Sequence, residues 1–311
     1  MMNFTYIKNK VTFFLFLIGI FVVNAQENER YTQYLYNPIG INPAAAGASE
    51  MNTLFTSYRT QWVGVAGAPE TMALSFNGAT KNENVGLGIS VMNDQIGPSV
   101  QSALAVDFAY SLRLNPNYKL AFGLKASANL LNVDFTKLYL KDGTESVFEN
   151  NIDNKFSPNI GVGLYLHSDK TSIGLSVPNL LATKFYDKYS SNASSSSIAT
   201  DNLNIFLTAN HLFELDYNLK FKPALLVKIV QEGHVQTYAS ATFLVNDVFT
   251  FGTSYRFGGT INSLVGFQIN NRVFIGYGYD LETRSMRNYN TASHEIFIKF
   301  NLFSKNQMTS M

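Results

Sequence analysis

The sequence contains no cysteine, which excludes disulfides, thiol nucleophiles and metal sites built from thiolates. Charged residues make up 14% of the chain, well below the roughly 25% that is usual in soluble domains. The charges nearly balance, at 23 basic and 22 acidic residues, and they form none of the basic patches that bind nucleic acid. Tryptophan occurs once, whereas phenylalanine and tyrosine occur 25 and 17 times. Few charges and many aromatic rings favour a surface that meets lipid.

The N-terminus has the form of a secretory signal peptide. Lys8 and Lys10 precede an apolar run over residues 11–23, and Val23-Asn24-Ala25 fits a signal-peptidase cleavage site. The apolar run is too short for a transmembrane helix, which needs about 20 residues. A short membrane anchor is the alternative, and the polar residues that follow the run disfavour it. We therefore predict a signal peptide over residues 1–25 and an exported chain after it.

The rest of the chain is dominated by segments in which every second side chain is large and apolar. In residues 102–114 the large side chains fall on one face, and small or charged ones, such as Ala105 and Asp107, fall on the other. This period of two is typical of a β-strand with two unlike faces. About fourteen such segments follow Asn52, most of them close to the ~9–11 residues with which a strand crosses a bilayer.

The connections between these segments alternate between short and long. Bacterial outer-membrane barrels show this pattern, with short periplasmic turns and longer outer loops, whereas a soluble β-sandwich has no reason for it. We therefore predict an all-β fold, a transmembrane antiparallel β-barrel of about 14 strands over residues 52–303 of an outer-membrane protein, with both termini in the periplasm. The short turns are predicted at Lys81–Glu83, Asn115–Asn117, Ser168–Lys170, Asp216–Asn218, Asn246-Asp247 and Asn270-Asn271. The longer connections are predicted at Val63–Glu70, Gln95–Val100, Thr136–Phe156, Ala182–Asn202, Gln231–Val235, Gly258–Asn262 and Arg284–Thr291.

Two further segments lie outside the predicted barrel. Residues 26–51 precede it and contain the turn-forming pairs Asn37-Pro38 and Asn42-Pro43. We interpret this N-terminal non-barrel segment as an ordered periplasmic or lumenal element. Residues 304–311 form a C-terminal tail.

The sequence offers no recognisable catalytic constellation. His294 and Glu295 are adjacent, so they point to opposite faces of a strand and are poorly placed to share a metal ion. We therefore predict no enzymatic activity, no cofactor and no metal site. A set of charges is predicted to line the lumen or rim, where they form ion pairs or, as the alternative, a selectivity or substrate-binding surface. These charges are Asp94, Asp107, Arg113, Lys125, Arg256 and Asp280.

Several motifs resemble those of the PorP/SprF family, in order along the whole exported chain. The first is Tyr31–Pro38 followed by Ile41–Gly47, and the second is Arg59–Gly64 followed by Gly67–Thr71. The chain departs from the family pattern at Ala45, where a tyrosine is common, so the resemblance does not imply an aromatic contact at this position. Weaker matches lie at Asn93–Pro98, Gly174–Leu180, Ser254–Arg256, Gly276–Asp280 and His294–Ile296.

The resemblance implies an outer-membrane component of the type IX secretion system of Bacteroidetes, linked in some species to gliding motility, with no known catalytic activity. It implies two kinds of partner, namely other components of that system and secreted proteins with a type IX C-terminal sorting domain, such as adhesins. We hypothesise that the hairpin Arg59–Thr71 and the outer loops bind the secreted protein, while the N-terminal segment meets periplasmic partners. Alternatively, Trp62 belongs to an interfacial aromatic belt, and the protein is a porin or a substrate-specific channel. The candidate partner-binding residues are Tyr34, Asn37, Pro38, Asn42 and Pro43 in the N-terminal segment, and Arg59, Gln61, Trp62, Gly67, Ala68 and Pro69 in the hairpin.

Overall fold

The computed structural model describes residues 33–49, 51–137, 151–181, 183–184, 200–201, 203–231, 235–282 and 292–304. The predicted signal peptide lies outside these ranges, and so does the predicted tail after Ser304. Most of the described residues belong to strands or to turns between strands.

The described residues form seventeen strands, numbered in chain order. They are β1 (Met51–Thr60), β2 (Glu70–Ala79), β3 (Val85–Ile96), β4 (Ser99–Arg113), β5 (Lys119–Val133), β6 (Ile152–His167), β7 (Thr171–Val177), β8 (Thr183–Lys184), β9 (Thr200–Asp201), β10 (Asn204–His211), β11 (Phe213–Asp216), β12 (Leu219–Val230), β13 (Val235–Val245), β14 (Phe249–Arg256), β15 (Thr260–Gln268), β16 (Val273–Glu282) and β17 (Ser293–Ser304).

Fourteen of these strands close into one antiparallel barrel, which confirms the predicted fold. β1 to β7, β10 and β12 to β17 pair in that order, and β17 returns to pair with β1. β11 continues β10 past Leu212 and adds one short extra strand beside β12. β8 and β9 form a separate pair outside the barrel sheet. Closure leaves no open sheet edge, which a membrane-embedded sheet could not tolerate.

The two faces of each strand differ as the alternation predicted. On β4, the side chain of Val106 is 48% exposed on the outer surface, whereas the next residue, Asp107, is completely buried. On β5, the same contrast separates the exposed Leu124 from the buried Lys125. Large apolar side chains therefore cover the outside of the barrel, and small or polar side chains point into the lumen.

The two ends of the barrel carry different connections. All six predicted short turns lie at one end, called here the tight-turn rim, where β1 also begins and β17 ends. The opposite end, the loop rim, carries the connection from Thr60 to Glu70. The predicted loops Thr136–Phe156, Ala182–Asn202, Gln231–Val235 and Arg284–Thr291 lie largely outside the described residues. Two of the loop predictions were wrong, because Gln95–Val100 and Gly258–Asn262 are also tight turns. Glycines with positive φ angles form these turns, namely Gly97 at 54°, Gly258 at 129° and Gly259 at 126°.

Helical structure is confined to single turns in the described ranges. The α-helical turn α1 (Gln33–Tyr36) is followed by 3₁₀ turns at Pro38–Gly40 and Pro43–Ala45, and a third lies at Phe135–Lys137. Proline opens two of these turns, where its missing N–H leaves no hydrogen bond unmade. No helix in these ranges is long and apolar enough to cross a membrane.

Candidate functional site

The described part of the N-terminal segment lies inside the barrel. Ile39 and the run Ala44–Ala46 are almost fully buried, and they pack against inward positions of β3, β4 and β5. Because the outward neighbours of those positions are exposed, these contacts place the segment in the lumen and not on the outer surface. Of the two predicted locations, periplasmic or lumenal, the structure shows the lumenal one. Residues 34–47 are called the lumenal segment below.

Asn42 fixes the centre of the lumenal segment. Its side-chain Nδ2 donates a hydrogen bond to the Leu164 carbonyl oxygen of β6 at 3.0 Å. Its Oδ1 accepts the Ala44 amide at 3.0 Å and so caps the 3₁₀ turn that Pro43 opens. One amide side chain therefore sets both the local conformation and the attachment to the wall.

Two further hydrogen bonds tie the lumenal segment to other strands. The hydroxyl of Ser176 on β7 donates to the carbonyl oxygen of Ile41 at 2.7 Å. The amide of Gly47 donates to Oδ1 of Asn77 on β2 at 2.8 Å. Together with Asn42, these bonds attach the segment to well-separated parts of the barrel wall.

Inward glycines leave the space that the lumenal segment occupies. A Cβ atom on Gly86 would lie 2.0 Å from the carbonyl oxygen of Ala46, and one on Gly123 would lie 2.1 Å from the amide nitrogen of Ala44. A Cβ atom on Gly163 would also collide with the segment, against the side chain of Asn42 at 2.1 Å. The segment and the wall thus approach more closely than any larger residue would allow.

Two tyrosines carry the contact to the other side of the barrel. The Tyr36 ring packs against Phe274 and Phe297, with centroid distances of 5.2 and 4.7 Å. The Tyr34 hydroxyl lies 3.4 Å from the Ser240 hydroxyl, and burial raises the pKa of Tyr34 to about 12, while that hydrogen bond lowers it in part. The segment therefore spans the lumen from β3–β7 to β13, β16 and β17.

A buried ion pair supports the lumenal segment from the wall. Lys125 Nζ lies 2.8 Å from Asp107 Oδ1, and it also donates to the Ile39 carbonyl oxygen at 3.3 Å. Both charged side chains are shielded from solvent, so each depends on the other for compensation. The predicted lumenal charges Asp107 and Lys125 are thus paired with each other, and Lys125 reaches the segment as well.

A second charged cluster lies near the loop rim. Arg59, 2% exposed, forms ion pairs with Asp280 and, at 3.4 Å, with Oε2 of Glu295. The Asn262 side chain donates a further hydrogen bond to Asp280. The cluster joins β1, β15, β16 and β17 directly below the connection that follows Arg59.

The other predicted charges have polar contacts or reach solvent. Asp94 accepts a hydrogen bond from the Thr71 hydroxyl at 2.5 Å, and Arg256 donates to the Thr260 hydroxyl at 2.5 Å. Arg113 is exposed at the end of β4. Within the described ranges, the arrangement fits a paired and hydrogen-bonded interior better than a row of free charges.

The hairpin between β1 and β2 is held at its base and exposed at its tip. Backbone hydrogen bonds join Gln61 to Pro69 and Gly67 to Gly97, both at 2.9 Å. A third, from the Val63 amide to the Ala292 carbonyl oxygen at 3.1 Å, ties the hairpin to the start of β17. A cavity of about 350 Å³ lies between the hairpin and the β3–β4 turn. Val63 and Val65, 38% and 40% exposed, are among the residues that line this cavity.

The predicted partner-binding residues fall into two separate places, and partner binding itself stays a prediction for both. Those of the N-terminal segment are turned towards the lumen wall, and those of the hairpin lie at the loop rim. Tyr34, Asn37, Asn42 and Pro43 are buried, and Pro38 is partly buried. Arg59, Gln61 and Pro69 are buried at the hairpin base, whereas Trp62 and Ala68 are partly exposed and Gly67 is exposed.

The sequence did not predict how the inward glycines and Lys125 accommodate the lumenal segment. A signal for the glycines existed, because Gly86 and Gly88 are alternate residues of one strand and therefore lie on the same face. The contact of Lys125 with Ile39 had no such signal, since it joins residues that are far apart in sequence.

The structure places no metal-binding group in the described part of the chain. No three His, Asp or Glu side chains approach one another closely enough there to hold an ion. His294 faces outwards and bonds the Tyr277 hydroxyl at 2.6 Å, whereas Glu295 faces the lumen. The prediction that these two residues occupy opposite faces is confirmed.

The barrel is similar to solved structures of outer-membrane proteins. The toluene transporter TodX of P. putida aligns with a TM-score of 0.51 and 11% identity, over 86% of this chain and 94% of that chain. The CymD monoaromatic hydrocarbon channel aligns with a TM-score of 0.49 and 14% identity, over 91% of this chain and 96% of that chain. The Acinetobacter baumannii outer membrane protein Omp33 aligns with a TM-score of 0.47 and 9% identity, over 81% of this chain and 98% of that chain. At such identities the likeness concerns the fold alone. No curated protein is significantly similar in sequence.

A family match covers most of the sequence. The family described as type IX secretion system membrane protein PorP/SprF matches residues 23–300, which include the lumenal segment, the hairpin and nearly the whole barrel. The resemblance carried by the sequence motifs is therefore confirmed. This outer-membrane β-barrel belongs to the PorP/SprF family of type IX secretion system membrane proteins.

Proposed function

We propose that this protein is a non-catalytic scaffold that supports the export or cell-surface attachment of secreted proteins, such as adhesins. In gliding species the same role would connect it to motility. The observation that carries the proposal is the combination of a filled lumen with a firmly attached hairpin at the loop rim. The first feature disfavours transport through the barrel, and the second offers a surface for binding.

The lumenal segment supports a scaffold because it crosses the lumen next to the tight-turn rim. It contacts β4 to β7 on one side and the clusters around Leu226 and Phe297 on the other. A protein or solute that crossed the barrel would have to displace these contacts.

The hairpin supports partner binding because its base is fixed while its tip is open to solvent. Arg59 joins the base to two carboxylates, and the backbone hydrogen bonds described above attach it to its neighbours. A loop on a rigid scaffold presents a binding surface with little loss of conformational freedom on binding.

The proposed partner is the C-terminal sorting domain of a secreted protein. The cavity of about 350 Å³ lies at the lower end of the ~300–1,000 Å³ range of ligand pockets, which suits a side chain of a partner better than a whole ligand. Val63 and Val65 make part of its surface apolar. A side chain of the partner would therefore find space between the hairpin and the β3–β4 turn, with Val63 and Val65 as apolar contacts.

The test introduces two negative charges at the hairpin tip by substitution, and it is carried out in the native bacterial host. We expect V63D/V65D to lower the amount of secreted protein retained at the cell surface, because carboxylates oppose an apolar partner. Phe257→Asp is the matched control, since Phe257 is an exposed apolar residue of the β14–β15 turn at the same rim. Surface retention equal to wild type in V63D/V65D, with a folded barrel in the outer membrane, would refute the role of the hairpin.

A channel is the competing function. It predicts selective solute flux into liposomes that contain the purified protein with its lumenal segment in place. Flux that V63D/V65D leaves unchanged would favour the channel over the scaffold.

A further inference from the structure

Glu70 carries a charge on the outer surface of the barrel, at the loop rim. Its neighbour Thr71 is buried towards the lumen, whereas Glu70 is exposed and shares the outward face of β2 with Met72 and Leu74. Leaving aside Asp153 in the irregular start of β6, no other Asp, Glu, Lys or Arg occupies an outward register position in the described strands of the closed barrel. One carboxylate therefore stands out on a surface that is otherwise apolar or neutral.

Glu70 belongs to a polar row on the barrel side of the cavity next to the hairpin. The strand register aligns Thr60 of β1, Glu70 of β2 and Gln95 of β3. All three residues line the cavity of about 350 Å³, and so do Val63 and Val65 of the hairpin. The cavity therefore combines one negative charge and two neutral polar side chains with an apolar surface.

The charge of Glu70 has no cationic partner within the described ranges. Glu70 takes part in none of the ion pairs there, and the hairpin residues between Arg59 and Glu70 carry no charge. Arg59 itself faces the lumen, where it contacts Asp280 and Glu295. The Tyr58 hydroxyl donates a hydrogen bond to Glu70, but an ionised carboxylate can accept about four such bonds. Glu70 therefore keeps the capacity to bind a cationic group.

We propose that this cavity binds a lysine or arginine side chain of the secreted protein, with the charged end of that side chain at Glu70. The inference rests on the proposed function, because it names the kind of side chain that the hairpin receives. Lysine and arginine combine an apolar stem with a cationic end. The stem contacts Val63 and Val65, while the cationic end pairs with Glu70 and donates to the side-chain oxygen of Gln95.

Two other occupants fit the cavity less well. A bound metal ion needs several oxygen or nitrogen ligands, and no three His, Asp or Glu side chains come together in the part of the chain that the structure describes. A wholly apolar side chain would remove water from the Glu70 carboxylate without replacing it, which is costly for an ionised group. A cationic side chain offsets this cost, because it supplies the opposite charge as it excludes the water.

Charge variants of Glu70 in the native bacterial host test the pairing. We expect Glu70→Gln to lower the amount of secreted protein retained at the cell surface by up to about fivefold, as for an ion pair that keeps some contact with water. Glu70→Lys should lower retention further because two cations repel each other, whereas Glu70→Asp keeps the charge and should preserve most of it. Asp153→Lys is the matched control, since Asp153 is exposed at the same rim, four strands away from Glu70.

The outcomes separate this inference from the proposed function. Wild-type retention in Glu70→Gln and Glu70→Lys, while V63D/V65D still lowers it, would overturn the cationic side chain and leave the hairpin as a binding surface. Wild-type retention in V63D/V65D as well would overturn both. An equal loss in Asp153→Lys and Glu70→Lys, each with a folded barrel, would also overturn the site, because it would assign the effect to the overall charge of the rim.

A chemical rescue tests the sign of the charge at this one position. Because the chain has no cysteine, Glu70→Cys introduces the only thiol of the protein. We expect Glu70→Cys to retain less secreted protein than wild type. The anionic reagent sulfonatoethyl methanethiosulfonate should restore retention, whereas the cationic trimethylammonioethyl methanethiosulfonate should not. Wild-type cells treated with each reagent are the control, and equal retention after both reagents in Glu70→Cys would overturn the proposal.

Discussion

Two added methyl groups on the barrel wall should open the lumen. We expect G86A/G123A to displace the lumenal segment, because the new Cβ atoms would lie 2.0 Å from Ala46 and 2.1 Å from Ala44. Both contacts involve backbone atoms, which cannot rotate away as a flexible side chain can. Since non-bonded carbon contacts are about 3.5–4.0 Å, the segment must move by more than ~1 Å at two places.

The size of the effect follows from the contacts that oppose this movement. Overpacking costs about 1–3 kcal/mol at each site, or roughly 2–6 kcal/mol for the pair. The segment is retained by the hydrogen bonds of Asn42, Ser176, Gly47 and Lys125, at about 1 kcal/mol each. Burial of Ile39 adds roughly 1.5–3 kcal/mol. These totals concern the part of the segment from Ile39 to Gly47, since the new methyl groups do not touch the contacts of Tyr34 and Tyr36. Because the two totals are similar, the double variant should populate this part both inserted and displaced.

Single-channel recording in planar bilayers measures this equilibrium directly. We expect wild-type protein to stay closed and G86A/G123A to open intermittently. Gly40→Ala is the matched control within the segment itself, since no heavy atom lies within 4 Å of a Cβ built there. A folded double variant as closed as wild type would refute the reasoning, and so would a wild-type barrel that conducts continuously.

Three smaller perturbations test individual contacts of the lumenal segment. Lys125→Met leaves Asp107 buried without its ion pair and should lower the free energy of unfolding by roughly 3–5 kcal/mol in urea titrations, with K125M/D107N recovering most of the loss. Asn42→Ala removes a turn cap as well as a bond to the wall and should lower the same quantity by about 1–2 kcal/mol. Burial raises the pKa of Tyr34 from 10.0 to about 12, so the stability linked to its neutral form is complete below pH 10 and is lost as the pH rises towards 12. Tyr34→Phe should therefore make the loss of stability over that pH range shallower.

The barrel wall could be predicted from the sequence because each strand carries its own signal. The apolar Val106 faces lipid and its neighbour Asp107 faces the lumen, so the alternation of apolar and polar residues is enough to assign each side chain to its face. The six short turns could also be predicted from local signals, since residues such as Asn115 and Asn246 favour turns wherever they occur.

Two loop-rim connections are shorter than predicted. The predicted connections Gln95–Val100 and Gly258–Asn262 include residues that belong to strands, since β3 extends to Ile96 and β15 begins at Thr260. Asn93, Asp94 and Gln95 interrupt the apolar pattern, yet all three pair with β2 and β4 as part of β3. A strand ladder is built from backbone hydrogen bonds, so it continues beyond the apolar band into a region where outward side chains can be polar.

The attachment of the lumenal segment could not be predicted for a different reason. Its turn-forming residues indicated an ordered segment, but the bond from Asn42 to Leu164 joins positions 122 residues apart. Whether two residues so far apart in sequence come into contact depends on the end of the barrel at which the N-terminal segment enters the lumen, and on how far into the lumen the segment extends. Neither quantity is encoded in a local pattern, so the segment's order could be predicted and its position could not.

The closure of the barrel by its first and last strands constrains the order of assembly. The lumen exists only after β17 has paired with β1, whereas the residues that fill it precede every strand in the chain. Ile39 and Ala44–Ala46, buried in the finished protein, are therefore fully enclosed only once the last strand has paired. A periplasmic chaperone that shields them before then would bind a surface that the closed barrel later puts out of reach.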